Sequence, residues 1–206
     1  MANSISLLGK VGSVVSVGHS IGSQDMDAAR RFASHNITIG LIISLCWAFL
    51  LFTFANPVIG LFELDAHIAG KAIDYLRIVS TAFPFIFLSA AFTGIHNAAG
   101  LSKVPFYISG SGLLMNMILD PLFIYGFNWG TAGAACATWL SQAFVCGIFI
   151  YRFKYRSKVL GGFSFFTRLQ AQYSNKIMRI GLPVALLNVF FAGVNLFITR
   201  TASIAG

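Results

Sequence analysis

Charged side chains are scarce in this sequence: they make up 10% of its 206 residues, and six of them are acidic. Soluble globular domains carry charge on roughly a quarter of their residues, so this composition excludes an ordinary water-facing fold. The three cysteines, Cys46, Cys136 and Cys146, form no C-x-x-C pair. Zinc-protease, serine-hydrolase and Walker-A motifs are also missing from the sequence. We therefore expect neither an enzyme nor an ATP-driven pump.

Apolar residues take the place of the missing charge. They account for 57% of the chain, and the mean hydropathy is +0.78. A helix needs ~20 such residues to cross a hydrocarbon core of ~30 Å. Six runs approach that length, the first of them weak because it is rich in glycine and serine: about 3–21, 37–54, 76–96, 104–127, 131–151 and 177–199. The sequence therefore predicts an all-α fold, a polytopic transmembrane helix bundle.

Lysine and arginine are distributed unevenly between the loops. Short cytoplasmic loops retain positive charge, and the basic residues concentrate in the segments 22–32, 99–103 and 152–176. We place these segments in the cytoplasm and the chain in the inner, or plasma, membrane. The net charge of +8 then reflects this bias, together with attraction to anionic lipid. Nucleic-acid binding is not expected, because the basic residues lie between spans.

Small residues repeat every four positions along the fifth span. They form two faces that allow close helix approach: Gly130, Ala134 and Thr138 on one, and Gly133, Ala137 and Ser141 on the other. Pro84 lies inside the third span and should bend it, because proline removes a backbone hydrogen bond and clashes with the preceding turn.

The stretch LLMNMILDPLFIYG places ionisable and polar groups inside an apolar span. Asn116 and Asp120 are four residues apart and share a helix face. Counted from Pro105 at the cytoplasmic start of the span, they lie about 16 and 22 Å into the membrane at ~1.5 Å per residue. Thr138, on the next span, should reach nearly the depth of Asp120. Pro121 has no N–H, which frees the carbonyl of Met117.

Three interpretations of this cluster remain open. Oxygen-rich clusters suit a hard cation such as Na⁺. A desolvated carboxylate holds a proton more readily and suits a proton carrier. Asp120 could instead simply bond a neighbouring helix. An ionisable group inside a span is costly, however, and is by default a functional candidate. Lys10, in the weak first span, raises the same question, and we assign it no role.

Several longer stretches resemble one family of transporters. These are IGSQDMDAARRFASHN, AIDYLRIVSTAFPF, the N-x-x-x-D-P of LLMNMILDPLFIYGF, WGTAGAACATWLSQ and KIMRIGLPVALLN. Together, in this order, they look like the multidrug and toxic compound extrusion (MATE) family. The resemblance implies a fold of twelve helices in two six-helix lobes. It also implies export of organic, often cationic, compounds driven by entry of Na⁺ or H⁺.

Matched to that family, the chain resembles the second half of helix two through helix seven. The resemblance divides it into a partial N-lobe of five transmembrane helices (1–151), a basic cytoplasmic inter-lobe loop (152–176) and the first helix of the C-lobe (177–206). We expect a fragment that does not transport by itself. Its expected partners are the lipid bilayer, a small organic substrate and the remainder of the parent transporter.

The resemblance also assigns roles within a cation site. Asn116 and Asp120 match two positions on the family's fifth helix, Thr138 matches a hydroxyl on its sixth, and Ala134 matches a backbone-carbonyl position. A possible Na⁺ would be held by Asp120, Asn116 and Thr138. The family's other acidic residue, on helix one, has no counterpart here. No cofactor is expected apart from the coupling ion, Na⁺ or H⁺.

Two other functions remain open at this point. One is a flippase for lipids or lipid-linked oligosaccharides within the same superfamily, which rows of basic residues lining the cavity would favour. The other is a membrane subunit that does not transport and assembles with partners through its small-residue faces.

Overall fold

The computed structural model describes residues 2–60, 62, 65–156 and 170–205. These residues form helices with no strand, which confirms the predicted all-α fold. In chain order the elements are α1 (Ala2–Gly22), α2 (Met26–Thr53), α3 (Ala55–Gly60), α4 (Ala66–Ser80), α5 (Phe83–Ala98), α6 (Lys103–Pro121), a π-helix (Leu122–Gly126), α7 (Gly130–Arg156) and α8 (Ala171–Ala205).

The turn between α1 and α2 is shorter than the predicted loop 22–32. Gln24 adopts a left-handed conformation, with φ of 61°, which ends α1. The Asp25 carboxylate then accepts a hydrogen bond of 2.9 Å from the Ala28 N–H, in the manner of a helix N-cap. Because this cap starts α2 at Met26, most of the predicted loop is helical, and the loop boundary was wrong.

The predicted bend near Pro84 is present as a break between two helices. Helices α4 and α5 meet at an angle of 47°. Pro84 lies in the first turn of α5, where its missing N–H costs least. The chain therefore breaks one turn earlier, at Thr81 and Ala82, whose N–H groups donate to Ile78 and Val79 in a tight turn.

Apolar side chains on the outer surface of the helices agree with a membrane environment. Phe106, Tyr107 and Ile118 of α6 are 73%, 70% and 68% exposed, whereas water-soluble monomers rarely expose such a surface. Among the described residues, α2, Lys103–Gly126 and Gly130–Tyr155 are long and apolar enough to cross a membrane, and α4 with α5 forms a bent fourth candidate. Spans at α1 and α8 stay predictions.

The chain divides into two compact units. In the first, α1 packs against α8, beside the start of α2 and the end of α5. In the second, α7 packs against α6, the π-helix and α4. The predicted segment 152–176 is helical at both described ends, because α7 continues to Arg156 and α8 starts at Ala171. Residues 157–169 lie outside the described part. The division into lobes stays a prediction.

Candidate cation site

The end of α6 has an unusual backbone that follows from Pro121. Proline has no N–H to donate to the carbonyl of Met117, and the Leu122 N–H donates to Leu119 instead. The chain then continues as a π-helix, in which the Phe127 N–H donates to Leu122 at 3.0 Å. Short π-helical segments are rare and are frequent at functional sites. Asp120 therefore lies directly before a local irregularity of the helix.

Asn116 and Asp120 contact each other on α6. The Asn116 Nδ2 donates a hydrogen bond of 3.3 Å to Asp120 Oδ1, and both side chains are half-buried. This orientation leaves the Asn116 Oδ1 and the second Asp120 oxygen able to accept a cation. The predicted pairing of these two residues on one helix face is therefore present.

Thr138 and Ala134 form a second pair on α7. The Thr138 Oγ1 donates a hydrogen bond of 3.0 Å to the Ala134 carbonyl, and both residues are half-buried. The hydroxyl proton is thereby used in the bond to Ala134, while the lone pairs of Oγ1 stay available to accept a hydrogen bond or a cation. The α6 pair and the α7 pair each form a local hydrogen bond within their own helix. Their convergence at one depth remains a prediction.

Close packing of α7 on α6 and the π-helix fixes the two helices that carry these pairs. A Cβ added at Gly133 would lie 2.7 Å from the carbonyl oxygen of Phe123. Gly112 of α6 likewise contacts Val145 of α7. Of the two predicted small-residue faces, the buried one is that of Gly133, Ala137 and Ser141. Ala134 and Thr138 are therefore more open than the residues that pack the helices together.

The chemistry of the four residues fits a hard monovalent cation. Their donors are a carboxylate, an amide, a hydroxyl and a backbone carbonyl, all of them oxygens. The described residues contain no group of three His, Cys, Asp or Glu side chains that could hold a metal ion. A soft transition metal, which favours nitrogen and sulfur, therefore has no such cluster there.

A buried polar cluster between α1 and α2 was not predicted. Asn36 is 1% exposed, and its Nδ2 donates to the Gly9 carbonyl at 2.9 Å and to the Ser13 hydroxyl. The feature of the sequence that could have indicated this cluster is the amide side chain of Asn36, directly before an apolar run. It was missed because the helix was predicted to start at 37, which left Asn36 outside it.

His35 also has a role that the sequence did not reveal. It falls between the predicted loop 22–32 and the predicted span 37–54, but it is 2% exposed within α2. Its Nδ1 contacts the Arg31 carbonyl at 2.8 Å, and its Nε2 accepts from the Gln170 N–H at 3.1 Å. A carbonyl can only accept and an N–H can only donate. The two contacts therefore match the tautomer that carries its proton on Nδ1, and the ring holds Gln170, the residue before α8.

Comparison with known proteins shows which family this chain belongs to. The sequence matches the MatE family over residues 3–122, a range that includes Asn116 and Asp120. The chain belongs to the MatE family. It is 23% identical over 199 residues to the multidrug export protein MepA of Staphylococcus aureus, covering 95% of this chain and 44% of MepA. It is 31% identical over 122 residues to Protein DETOXIFICATION 42 of Arabidopsis thaliana, covering 58% of this chain and 24% of that protein.

Solved structures of MATE transporters share the fold. An inward-facing multidrug resistance MATE transporter of the MOP superfamily aligns with a TM-score of 0.91 at 22% identity, over 100% of this chain and 47% of its own. The outward-facing form aligns with a TM-score of 0.89 at 22% identity, over 100% and 46%. The MatE chain described here thus spans a little less than half the length of these relatives. Its membrane location follows from its membership of the MatE family.

Proposed function

We propose that this MatE chain forms part of a transporter that exports organic, often cationic, compounds across the plasma membrane. Export is driven by inward movement of Na⁺ or H⁺. The observation that carries the proposal is the hydrogen-bonded pair of Asn116 and Asp120, placed on a membrane helix within the stretch that matches the family. The chain acts as a transporter component and not as an enzyme.

Asp120 is the group that takes up the coupling cation. It is a carboxylate on an apolar helix, where an ionisable side chain is costly and is retained for a function. Asn116, Thr138 and the Ala134 carbonyl supply the remaining oxygens. A bound Na⁺ would contribute positive charge that neutralises the carboxylate, and a proton would do the same.

Cation binding at Asp120 can drive transport if the inward-open and outward-open conformations bind the cation with different affinities. A ligand shifts a conformational equilibrium only by its difference in affinity for the two states. Midplane ion sites in repeat-built transporters work by alternating access in this way. The π-helix that follows Asp120 is the element that such a change can act on, because its hydrogen bonds are less regular than those of α6.

Similarity of fold alone does not identify the substrate. A MOP superfamily transporter of Pyrococcus furiosus, whose binding pocket is described as having reverse polarity and suggesting a different function, aligns with a TM-score of 0.88 at 22% identity over 95% of this chain and 44% of its own. The test must therefore measure transport directly.

The deciding experiment is dye efflux from proteoliposomes that contain the product of the complete reading frame encoding this chain. We expect efflux of a cationic dye that depends on an imposed Na⁺ or H⁺ gradient. Flipping of a fluorescent lipid without dye efflux would favour a flippase. Absence of both activities would favour a subunit that assembles with partners without transporting.

A further inference from the structure

A cavity separate from the cation pair lies where α2, α4 and α7 meet. Its volume is about 300 Å³. The residues that line it are apolar or aromatic, apart from one threonine, one cysteine and one arginine: Phe52, Arg77, Ile78, Thr81, Cys136 and Trp139. Phe52 and Thr81 are exposed, so the cavity opens at the surface of the helices.

Among the described residues, Arg77 is the one charged residue that lines this cavity, and none of them forms an ion pair with it. Its Nε is shut off from solvent and has no hydrogen-bond partner among the described residues. Its guanidinium lies 5.9 Å from the ring centre of Phe52, an attractive cation–π arrangement that leaves the N–H donors free. A ligand in the cavity can therefore be bound by the outer N–H groups of the guanidinium, which are donors only.

The aromatic walls of the cavity place it near the membrane interface. Phe52 is the last residue but one of α2, so the guanidinium lies at the level where α2 ends. Trp139 is held by an edge-to-face contact with Phe85, with ring centres 5.4 Å apart. Tryptophan and arginine in this combination are typical of the zone between headgroups and acyl chains.

A second cavity, of about 510 Å³, lies nearer the start of α4. His67 and Lys71 line it together with Ile59, Ile68, Ala72, Tyr75, Leu76 and Thr131. Neither cavity has a carboxylate among the lining residues that the structure describes. The described lining of both cavities therefore presents positive charge and apolar surface, a combination that matches an anionic amphiphile.

We propose that the cavity at Arg77 binds the phosphate headgroup of an anionic phospholipid. Arg77 donates its free N–H groups to the phosphate, a geometry to which guanidinium is well suited. Phe52, Ile78 and Trp139 contact the upper part of the acyl chain. Basic pockets between membrane helices bind lipid headgroups by the same chemistry. The lining residues of this cavity do not include Asn116, Asp120, Ala134 or Thr138.

Trp139 provides a local reporter for this site. The full chain, carrying Trp47→Phe and Trp129→Phe so that Trp139 is the remaining tryptophan, is reconstituted in phosphatidylcholine vesicles. Brominated phosphatidylglycerol or brominated phosphatidylcholine is then added at equal mole fraction, and quenching of Trp139 is measured. We expect phosphatidylglycerol to associate about five-fold more strongly, the attraction that one Lys or Arg exerts on anionic lipid.

Two substitutions, each of which removes one positive charge, distinguish lipid binding at the Arg77 cavity from general attraction of anionic lipid to the protein surface. Arg77→Gln should abolish the preference for phosphatidylglycerol. Arg152→Gln, at an exposed position near the end of α7, should leave it unchanged. Arg77→Lys keeps the charge and should keep most of the preference, which covers the case in which Arg77→Gln fails to fold.

Three results would overturn the proposal. One is equal quenching of the unsubstituted Arg77 protein by both lipids. Another is an equal loss of preference in Arg77→Gln and Arg152→Gln. The last is loss of the preference on adding inorganic phosphate to the buffer, which would assign the site to the free anion and not to a lipid. Loss of the phosphatidylglycerol-dependent quenching on Trp139→Phe in the otherwise unchanged chain would support the assignment.

Discussion

Asn116 donates its Nδ2 proton to Asp120 Oδ1 across one turn of α6, at 3.3 Å. This bond determines which oxygens of the two side chains remain free. The amide turns its nitrogen toward the carboxylate, so its own oxygen and the second carboxylate oxygen take no part in this bond. The cation site proposed at Asp120 therefore has two further oxygens available on this helix face.

Replacing Asp120 by Asn tests the central role. The substitution keeps the shape and removes the charge. We expect the affinity for the coupling cation to fall by at least about ten-fold, the scale of a lost charge-assisted contact. Cation-dependent dye efflux by the full-length transporter, measured in proteoliposomes, should be lost while membrane insertion is retained. Asp74→Asn, at an exposed position on α4, is the matched control. Normal efflux by Asp120→Asn would make Asp120 a structural residue.

Thr138 can be tested by removing its hydroxyl without changing its shape. Thr138→Val loses the oxygen, and Thr138→Ser keeps it. We expect the valine variant to bind the coupling cation about two- to ten-fold more weakly, since a single neutral contact contributes about 0.5–1.5 kcal/mol. The serine variant should bind normally. Thr131→Val, at an exposed position in the first turn of α7, controls for loss of a hydroxyl elsewhere. Equal affinities of Thr138→Val and Thr138→Ser would remove Thr138 from the site.

Gly133 should tolerate no side chain. A Cβ there would lie 2.7 Å from the Phe123 carbonyl oxygen and 2.8 Å from its carbon, and backbone atoms cannot swing aside as a flexible side chain can. We expect Gly133→Ala to lower the free energy of unfolding by about 1–3 kcal/mol, as overpacking does. Thermal unfolding in detergent would show it.

Gly147, on the same helix, is the control for this effect. It has open space around it, so Gly147→Ala should be neutral or should stabilise α7 by up to about 1 kcal/mol through higher helix propensity. Equal effects of the two substitutions would mean that α7 does not pack on the π-helix as described.

His35 should protect one backbone amide from exchange with solvent. Its Nε2 accepts from the Gln170 N–H. His35→Leu removes this acceptor, and we expect the amide of Gln170 to exchange about five-fold faster, which corresponds to a loss of about 1 kcal/mol. His35→Gln offers an oxygen near the same position and should restore part of the protection. Hydrogen exchange provides the measurement, in a peptide that starts several residues before 170 so that the Gln170 amide is retained. Unchanged exchange in His35→Leu would mean that the bond does not form.

Local chemistry made much of the fold predictable from the sequence. The predicted spans fall on helices, and the spacing of Asn116 and Asp120 placed them on one face, because the period of an α-helix is fixed. Pro84 correctly indicated a bend. Its exact position did not follow from the sequence, because a proline is accommodated more easily in a first turn than in a helix interior.

What the sequence did not reveal depends on contacts between distant residues. The start of α2 was predicted too late, because the predicted span was identified by its run of apolar residues. The Asp25 cap and the charged first turns of the helix are polar, so they were assigned to a loop. The bond from His35 to Gln170 joins residues 135 positions apart, so no local pattern indicates it. The π-helix after Pro121 lies against Gly133, and its type could not be predicted from proline alone.

Helix α2 is longer than a membrane is thick. Its 28 residues extend about 42 Å at ~1.5 Å per residue, whereas the hydrocarbon core measures ~30 Å. The surplus belongs to the end with Asp27, Arg30 and Arg31, because charges stay out of hydrocarbon. His35 follows that end by one turn, so its bond to Gln170 lies at the membrane boundary. Bilayers of different thickness change the tilt of such a helix. Lipid composition therefore sets whether the junction of α2 and α8 lies among headgroups or in water.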